Sequence, residues 1–149
     1  MPRGRERLRV DPDLRSGIAS EQVPVNSAQR EQRELAVFHL DRGRRLFERE
    51  EDRQALVEFR RAIYLSPYEA SAHLLIGRIH LRAGHFSEAA DALKISIWSA
   101  ETAEARIALA ETYMKQQNTA GARTELERVL VMDPTSAEAR RLLATLLGK

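Results

Sequence analysis

Histidine is the residue type through which this 149-residue chain could most readily do chemistry, because it has four histidines and no cysteine. His73 and His80 lie seven residues apart, which on one helix is about 10 Å along the axis, too far to share one metal ion without bridging ligands. No carboxylate or nucleophile has a spacing that completes a site with them, and the common nucleotide, hydrolase and metalloprotease motifs are missing. The sequence therefore predicts no enzyme, no cofactor and no metal site, and structural roles for the histidines.

The arginines near the N-terminus are the second candidate for chemistry, since alternating basic residues can contact phosphates. Acidic residues interrupt them and no aromatic residue is interleaved to stack on bases. Three of the five prolines also fall in the first 24 residues. We therefore predict a flexible leader over residues 1–26, and nucleic-acid binding through it is the alternative function from a different class. The alternating residues are Arg3, Arg5, Arg7 and Arg9.

The composition is that of a soluble helical protein, with 43% hydrophobic, 31% charged and 5% aromatic residues. No apolar run approaches the roughly 18 residues that a membrane helix needs, and no secretory signal follows the first arginines. These features predict a cytoplasmic protein without a membrane span. A periplasmic location stays open if a signal was removed before residue 1.

From about Asn26 onward, apolar residues recur at spacings of three and four, which indicates helices. Short connections make neighbouring helices antiparallel. The pattern predicts helices near residues 28–49, 52–65, 68–82, 86–99, 102–116, 119–132 and 135–147, with Gly84 and Asn118 as left-handed residues at helix ends.

The chain also repeats itself. Pro67 and Pro134 are 67 residues apart, which is one unit of 34 plus one of 33. When each proline is placed at position 32 of a unit, small residues align at position 8, alanines at position 20 and large apolar residues at position 24. These are Gly43, Gly77 and Ala110, then Ala55, Ala89 and Ala122, then Phe59, Leu93 and Leu126.

In these positions the chain resembles the tetratricopeptide repeat family, whose unit is a helix pair. The resemblance implies an all-α, right-handed solenoid of three antiparallel helix pairs at about residues 36–69, 70–102 and 103–136, closed by a capping helix at 137–147. The repeat domain is thus expected over 27–149. Repeat 2 departs from the pattern at Ser99 and Glu101, which leaves the packing of Trp98 undetermined.

The resemblance further implies a concave groove lined by the first helix of each pair. Its predicted residues form two apolar rows at positions 5 and 12, with charged residues at positions 9 and 13 between and beside them. The apolar residues are Leu40, Leu74, Ile107, Phe47, Leu81 and Met114, and the charged ones are Arg44, Arg78, Glu111, Arg82 and Lys115. Six exposed large apolar side chains would form a patch of the kind that marks a binding surface.

We therefore expect the groove to bind another protein, as an adaptor, assembly factor or scaffold does. The ligand would be an apolar peptide or an amphipathic helix, with an acidic residue to meet Arg44 and Arg78. A dedicated secretion or assembly chaperone that shields a hydrophobic substrate is a narrower alternative. A third reading has the leader or the first helix covering the groove. No small-molecule substrate is implied.

Some members of this family grip the acidic tails of heat-shock chaperones with a clamp of Lys, Asn and Arg. The corresponding positions here hold Leu40, Arg44, Leu75, Glu104 and Ala108. The sequence therefore predicts that this clamp is absent.

Overall fold

The computed structural model describes residues 12–148, and the side chains of residues 26–148. The described chain is entirely helical, without a strand, which confirms the predicted all-α solenoid class. Its seven helices are α1 (Pro12–Glu48), α2 (Asp52–Leu65), α3 (Ala70–Ala83), α4 (Phe86–Ser99), α5 (Ala103–Lys115), α6 (Thr119–Met132) and α7 (Ala137–Leu146). Among residues 12–148, no helix is both long and apolar enough to cross a membrane.

The start of the first helix was predicted wrongly, since α1 begins at Pro12 and not near residue 28. A proline at the first helical position loses no hydrogen bond, because that N–H would have no helical partner anyway. Apolar periodicity reports burial, so it could not show a helix that extends beyond the packed core. Residues 1–11 of the predicted leader lie outside the described residues, and the division between leader and repeat domain stays a prediction.

The helices pack as the pairs α1–α2, α3–α4 and α5–α6, and glycines allow the first two pairs to approach closely. A Cβ atom on Gly77 would lie 2.6 Å from Cγ of Leu93 and 3.3 Å from the carbonyl oxygen of Ala89. A Cβ on Gly43 would lie 2.6 Å from Cε1 of Phe59. Positions 20 and 24 of all three repeats are fully buried. The small residues at position 8 therefore make room for the large residue at position 24 as well as for the alanine at position 20.

Position 4 of each first helix holds a polar side chain that the fold buries and satisfies. In repeat 1, Nδ1 of His39 lies 2.6 Å from Oε2 of Glu58, and in repeat 3 a guanidinium nitrogen of Arg106 donates to Glu125 at 2.5 Å. His73, in repeat 2, lies 2.8 Å through Nε2 from the Pro67 carbonyl oxygen. These three residues therefore have structural roles in the packing of the helix pairs.

Hydrogen bonds to carboxylates outweigh the effect of burial on the pKa of Arg106. Burial alone would lower the pKa of the Arg106 guanidinium, but hydrogen bonds to Glu101 and Glu125 raise it above its ordinary value.

His80 and His85 lie near each other at the turn between α3 and α4, with ring centroids 5.7 Å apart. Burial and then the neighbouring His85 lower the pKa of His80.

The two residues predicted to be left-handed differ in outcome. Gly84 ends α3 with φ of 80°, as expected. Asn118 does not, because it caps the N-terminus of α6, where its side-chain oxygen accepts a hydrogen bond from the Gly121 N–H at 3.0 Å. Gln117 takes the left-handed conformation instead, with φ of 60°.

The capping helix α7 covers repeat 3 with Ala139 and Leu142, both buried. Its start is fixed by Ser136, whose hydroxyl oxygen accepts a hydrogen bond from the Ala139 N–H. Leu147, which follows the last residue of α7, is 45% exposed.

Candidate protein-binding groove

Two cavities lie along the first helices of the repeats, with volumes of about 610 Å³ and 300 Å³. They share Phe47 and Glu104 as lining residues, so together they form one groove across α1, α3 and α5, which α7 closes at its far end. Eight of the eleven predicted groove residues line it, namely Arg44, Phe47, Leu74, Arg78, Leu81, Arg82, Ile107 and Glu111.

The other three predicted residues do not line either cavity. Leu40 is only 6% exposed and belongs to the same core cluster as Phe59, so its assignment to an exposed row was wrong. Met114 is half-buried against the core of repeat 3, and Lys115 is exposed outside the cavity walls. The remaining apolar residues of the two rows are half-buried, so the expected patch of six exposed side chains does not form.

Leu81 differs from the other apolar residues of the groove. Phe47, Leu74 and Ile107 each pack against one of the buried core clusters, and so divide their surface between the core and the cavity. Leu81 lines the larger cavity and packs against none of these clusters. Its side chain therefore offers the groove an apolar contact that the core does not use.

The groove arginines are already engaged by neighbouring side chains. The Arg82 guanidinium lies 4.2 Å from the centre of the Phe47 ring, and that of Arg78 lies 5.6 Å from it. Arg78 also pairs with Glu104 at 2.7 Å, and Arg82 pairs with Asp52 at 2.5 Å. These contacts hold both cations over the aromatic face, where cation–π attraction adds to the ion pairs.

Glu111 places a carboxyl group in the wall of the larger cavity, opposite Glu138 of α7. Partial burial raises the pKa of Glu111, and the nearby charge of Glu138 raises it further, while Arg78, Arg141 and Lys115 oppose the shift. The groove thus contains both signs of charge, with the Arg78–Glu104 pair near Phe47, and with Glu111 and Glu138 toward the capping helix.

Six lining residues were missed as groove residues by the sequence reasoning, namely Glu48, Ser71, Leu75, Glu104, Ala108 and Glu138. Glu104 and Ala108 were considered only as positions of an absent clamp, although they lie on the same face of α5 as Ile107 and Glu111. Glu138 was missed because the repeat numbering was stopped at residue 136. Continued into α7, that numbering places Glu138 at position 2, the position of Glu104, so the signal was present.

Comparison with known families agrees with this architecture. Two tetratricopeptide repeat models match the chain, one over residues 40–105 and one over residues 95–146. The chain therefore belongs to the tetratricopeptide repeat family. Among curated protein sequences, none matches it.

Solved structures of the same fold are similar at low identity. The first TPR domain of Spaghetti (RPAP3), bound to the HSP90 peptide SRMEEVD, has a TM-score of 0.75 at 17% identity, over 78% of this chain and 93% of that one. The second TPR domain of human RPAP3, in complex with the HSP70 peptide SGPTIEEVD, has a TM-score of 0.72 at 18% identity, over 81% and 99%. YrrB, a TPR protein with an unusual peptide-binding site, has a TM-score of 0.72 at 21% identity, over 82% and 63%.

Proposed function

We propose that this chain is a non-enzymatic protein-interaction module, and that its groove holds an apolar segment of a partner protein. The observation that carries the proposal is the cavity of about 610 Å³, in which the apolar surface of Leu81 has no partner in the core clusters. Clefts that combine apolar walls with a few fixed polar groups are the usual form of a ligand site. Domains of the same fold that are bound to peptides, such as the first TPR domain of RPAP3, support the assignment.

The pairing of the arginines limits what the ligand can be. An acidic group of the ligand would meet guanidinium groups that already pair with a carboxylate, Glu104 at Arg78 and Asp52 at Arg82. An added ion pair at such a partly solvated, already paired cation yields little net free energy. We therefore assign the affinity to apolar contacts with Leu81, Phe47 and Ile107. The charged residues then set only the position of the ligand along the groove.

The chaperone tails bound by the RPAP3 domains end in Glu-Glu-Val-Asp and are strongly acidic. In this groove Glu104 and Glu111 would repel such a tail, and Leu40 is buried where a clamp residue would be needed. The proposed partner segment is accordingly apolar and not an acidic chaperone tail.

The length of α1 argues against a groove that residues 1–11 cover at its Phe47 end. From Pro12 to Phe47, α1 spans about 53 Å at 1.5 Å per residue. Eleven residues, even fully extended, span at most about 40 Å. Residues 1–11 therefore cannot reach Phe47 in the same molecule while α1 is intact.

A peptide-display selection tests the proposal directly. Peptides enriched on the wild-type chain should carry large apolar residues and should lose at least about 100-fold in affinity on Leu81→Asp, because a carboxylate would then face an apolar ligand without a partner. Leu147→Asp is the matched control, since Leu147 is 45% exposed at the end of α7 and lines neither groove cavity. If folded Leu81→Asp binds the enriched peptides as wild type does, the groove is not the site.

A further inference from the structure

The most exposed apolar side chains of the repeats lie outside the groove, at position 29 of each second helix. Tyr64 is 85% exposed, Trp98 is 75% exposed and Val131 is 83% exposed. Each of these residues is the last but one of its helix, α2, α4 or α6. The three therefore occupy equivalent places in successive repeats. We call these three residues the second-helix ladder.

Neighbouring side chains extend the ladder into a larger apolar surface. The ring of Tyr68, 69% exposed, lies against that of Trp98 with centroids 5.4 Å apart, and links the first repeat to the second. Ile95 and Met132 add 41% and 43% exposed side chains in repeats 2 and 3. Large apolar side chains exposed in this way in successive repeats are a feature of interaction sites, and the Tyr68–Trp98 contact joins two of the repeats.

Each member of the ladder has a basic residue one turn before it. Arg60 and Lys94 precede Tyr64 and Trp98 by four residues, and within residues 26–148 neither base has an ion-pair partner. Arg128 precedes Val131 by three residues. It lies 3.8 Å from Glu125, a carboxylate that already binds Arg106.

Two cavities lie beside the ladder and bring its apolar and basic residues together. One of about 300 Å³ is lined by Trp98, Lys94, Arg128 and Tyr113, with the Lys94 ammonium 6.0 Å from the Tyr113 ring centre. The other, of about 430 Å³, is lined by Tyr64 and Arg60 among others. The ladder thus offers pockets for large apolar side chains with positive charge at their rims.

Aromatic and basic residues together also occur at membrane surfaces, but the loops beside the ladder argue against an anionic bilayer. Each connection between repeats carries a carboxylate, namely Glu69, Glu101 and Asp133. Hydrogen bonds from Thr135 lower the pKa of Asp133, so it stays charged at neutral pH. A flat anionic surface would approach these carboxylates together with the bases, whereas a narrow helix can contact the bases alone.

We propose that the second-helix ladder is a second docking surface, which binds an amphipathic helix of a partner protein whose apolar face is flanked by Asp or Glu. The apolar face covers Tyr64, Trp98 and Val131, and the acidic flank lies over Arg60, Lys94 and Arg128. This surface is separate from the groove, so one chain can hold two partner segments at once. That arrangement is what a scaffold requires.

Trp98 makes the proposal directly measurable, because it is the sole tryptophan of the chain. The probe is a designed amphipathic helical peptide with leucines on one face and glutamates beside them. A matched peptide carries lysine in place of each glutamate, and neither peptide contains tryptophan. We expect the glutamate peptide to shift Trp98 emission to the blue in a saturable way, and the lysine peptide to bind at least tenfold more weakly.

Charge reversal tests the basic flank without touching a buried group. Arg60→Glu with Lys94→Glu should remain folded by circular dichroism, since both residues are exposed, and should reverse the preference between the two peptides. Val131→Asp should weaken the binding of the glutamate peptide. Leu81→Asp should bind it as wild type does, which separates this surface from the groove.

The remaining outcomes overturn the proposal. No saturable shift with the glutamate peptide, or equal affinity for both peptides, means that the ladder does not select this chemistry. A shift with phosphatidylserine vesicles and not with the peptide means that the surface binds lipid. A shift that depends on protein concentration alone, matched by sedimentation of a dimer, means that a second copy covers it.

Discussion

Substituting Gly77 by alanine sets two known effects against each other, and the structure decides which one is larger. In an exposed helix this change stabilises by about 1 kcal/mol, because alanine is the better helix former. Here the new Cβ would lie 2.6 Å from Cγ and 2.8 Å from Cδ2 of Leu93, about 1 Å inside ordinary carbon–carbon contact. Leu93 is fully buried and cannot swing into solvent, so either the two helices separate or the leucine leaves its rotamer.

Overpacking of this kind costs about 1–3 kcal/mol. After the gain in helix propensity is subtracted, we expect Gly77→Ala to lower the free energy of unfolding by up to about 2 kcal/mol. Gly77→Leu should lower it by at least about 3 kcal/mol. Urea unfolding followed by circular dichroism measures both, and the melting temperature should fall by about 2–4 °C per kcal/mol. Gly43→Ala should repeat the sign, because its Cβ meets Phe59 equally closely.

A double-mutant cycle shows whether Leu93 is the cause. Leu93→Ala alone should cost about 2–5 kcal/mol, as a large-to-small change at a buried site. Combined with Gly77→Ala, it should cost at least about 1 kcal/mol less than the sum of the single changes, because the new methyl group enters the vacated space. Stabilisation by Gly77→Ala alone would refute the close crossing and the repeat alignment that predicted it.

Three further changes have defined outcomes. Arg106→Leu should lower the free energy of unfolding by about 3–5 kcal/mol in urea, because it leaves the buried carboxylate of Glu125 with only the more distant Arg128 as a partner. Arg123→Ala, at an exposed pair, should lower it by less than about 1 kcal/mol. Folding raises the pKa of Glu111, so between its unfolded and folded pKa values the native state binds more protons, and stability falls as pH rises through that range. Glu111→Gln should therefore raise the melting temperature at pH 7. It should lose that advantage below about pH 4, where the carboxyl group is protonated in both states. Deletion of residues 1–25 should leave the melting temperature nearly unchanged, and a fall of more than a few degrees would mean that this segment packs on the domain.

The repeat pattern predicted the fold well because packing constrains those positions in every unit. Gly77 must be small, position 20 must be alanine and position 24 must be large wherever two helices cross closely, so the same residue types recur in phase. The bounds of α2, α4 and α6 follow, to the residue, from this constraint and the short connections. The start of α1 at Pro12 did not follow, because nothing in residues 12–25 repeats a packed unit.

The groove was predicted less well because position in a repeat does not fix exposure. Leu40 and Leu74 share position 5, yet Leu40 is buried in the core and Leu74 reaches a cavity, since different neighbours surround them. Pairing of arginines with carboxylates was also invisible to a one-dimensional pattern: Arg78 and Glu104 are 26 residues apart and meet only through the stacking of α3 and α5.

The second-helix ladder was visible in the sequence but was not sought. Large apolar residues at position 29 look like core residues until their exposure is known. In repeat 2, Ser99 replaces an apolar residue at position 30, and its buried hydroxyl finds no hydrogen-bond partner among the described residues. Only the structure shows that Trp98 lies outside the core, with its ring tilted against that of Tyr68.

Amide chemical-shift mapping with a display-selected peptide shows, residue by residue, whether the partner segment binds in the groove. In ¹H–¹⁵N spectra of the full chain, we expect the largest changes at Leu81, Ile107 and Glu111, with saturation at the peptide's measured affinity. The indole signal of Trp98 should stay in place during that titration. Changes centred on Trp98 and Val131, with Leu81 and Ile107 unmoved, would contradict the assignment of the groove as the protein-binding site.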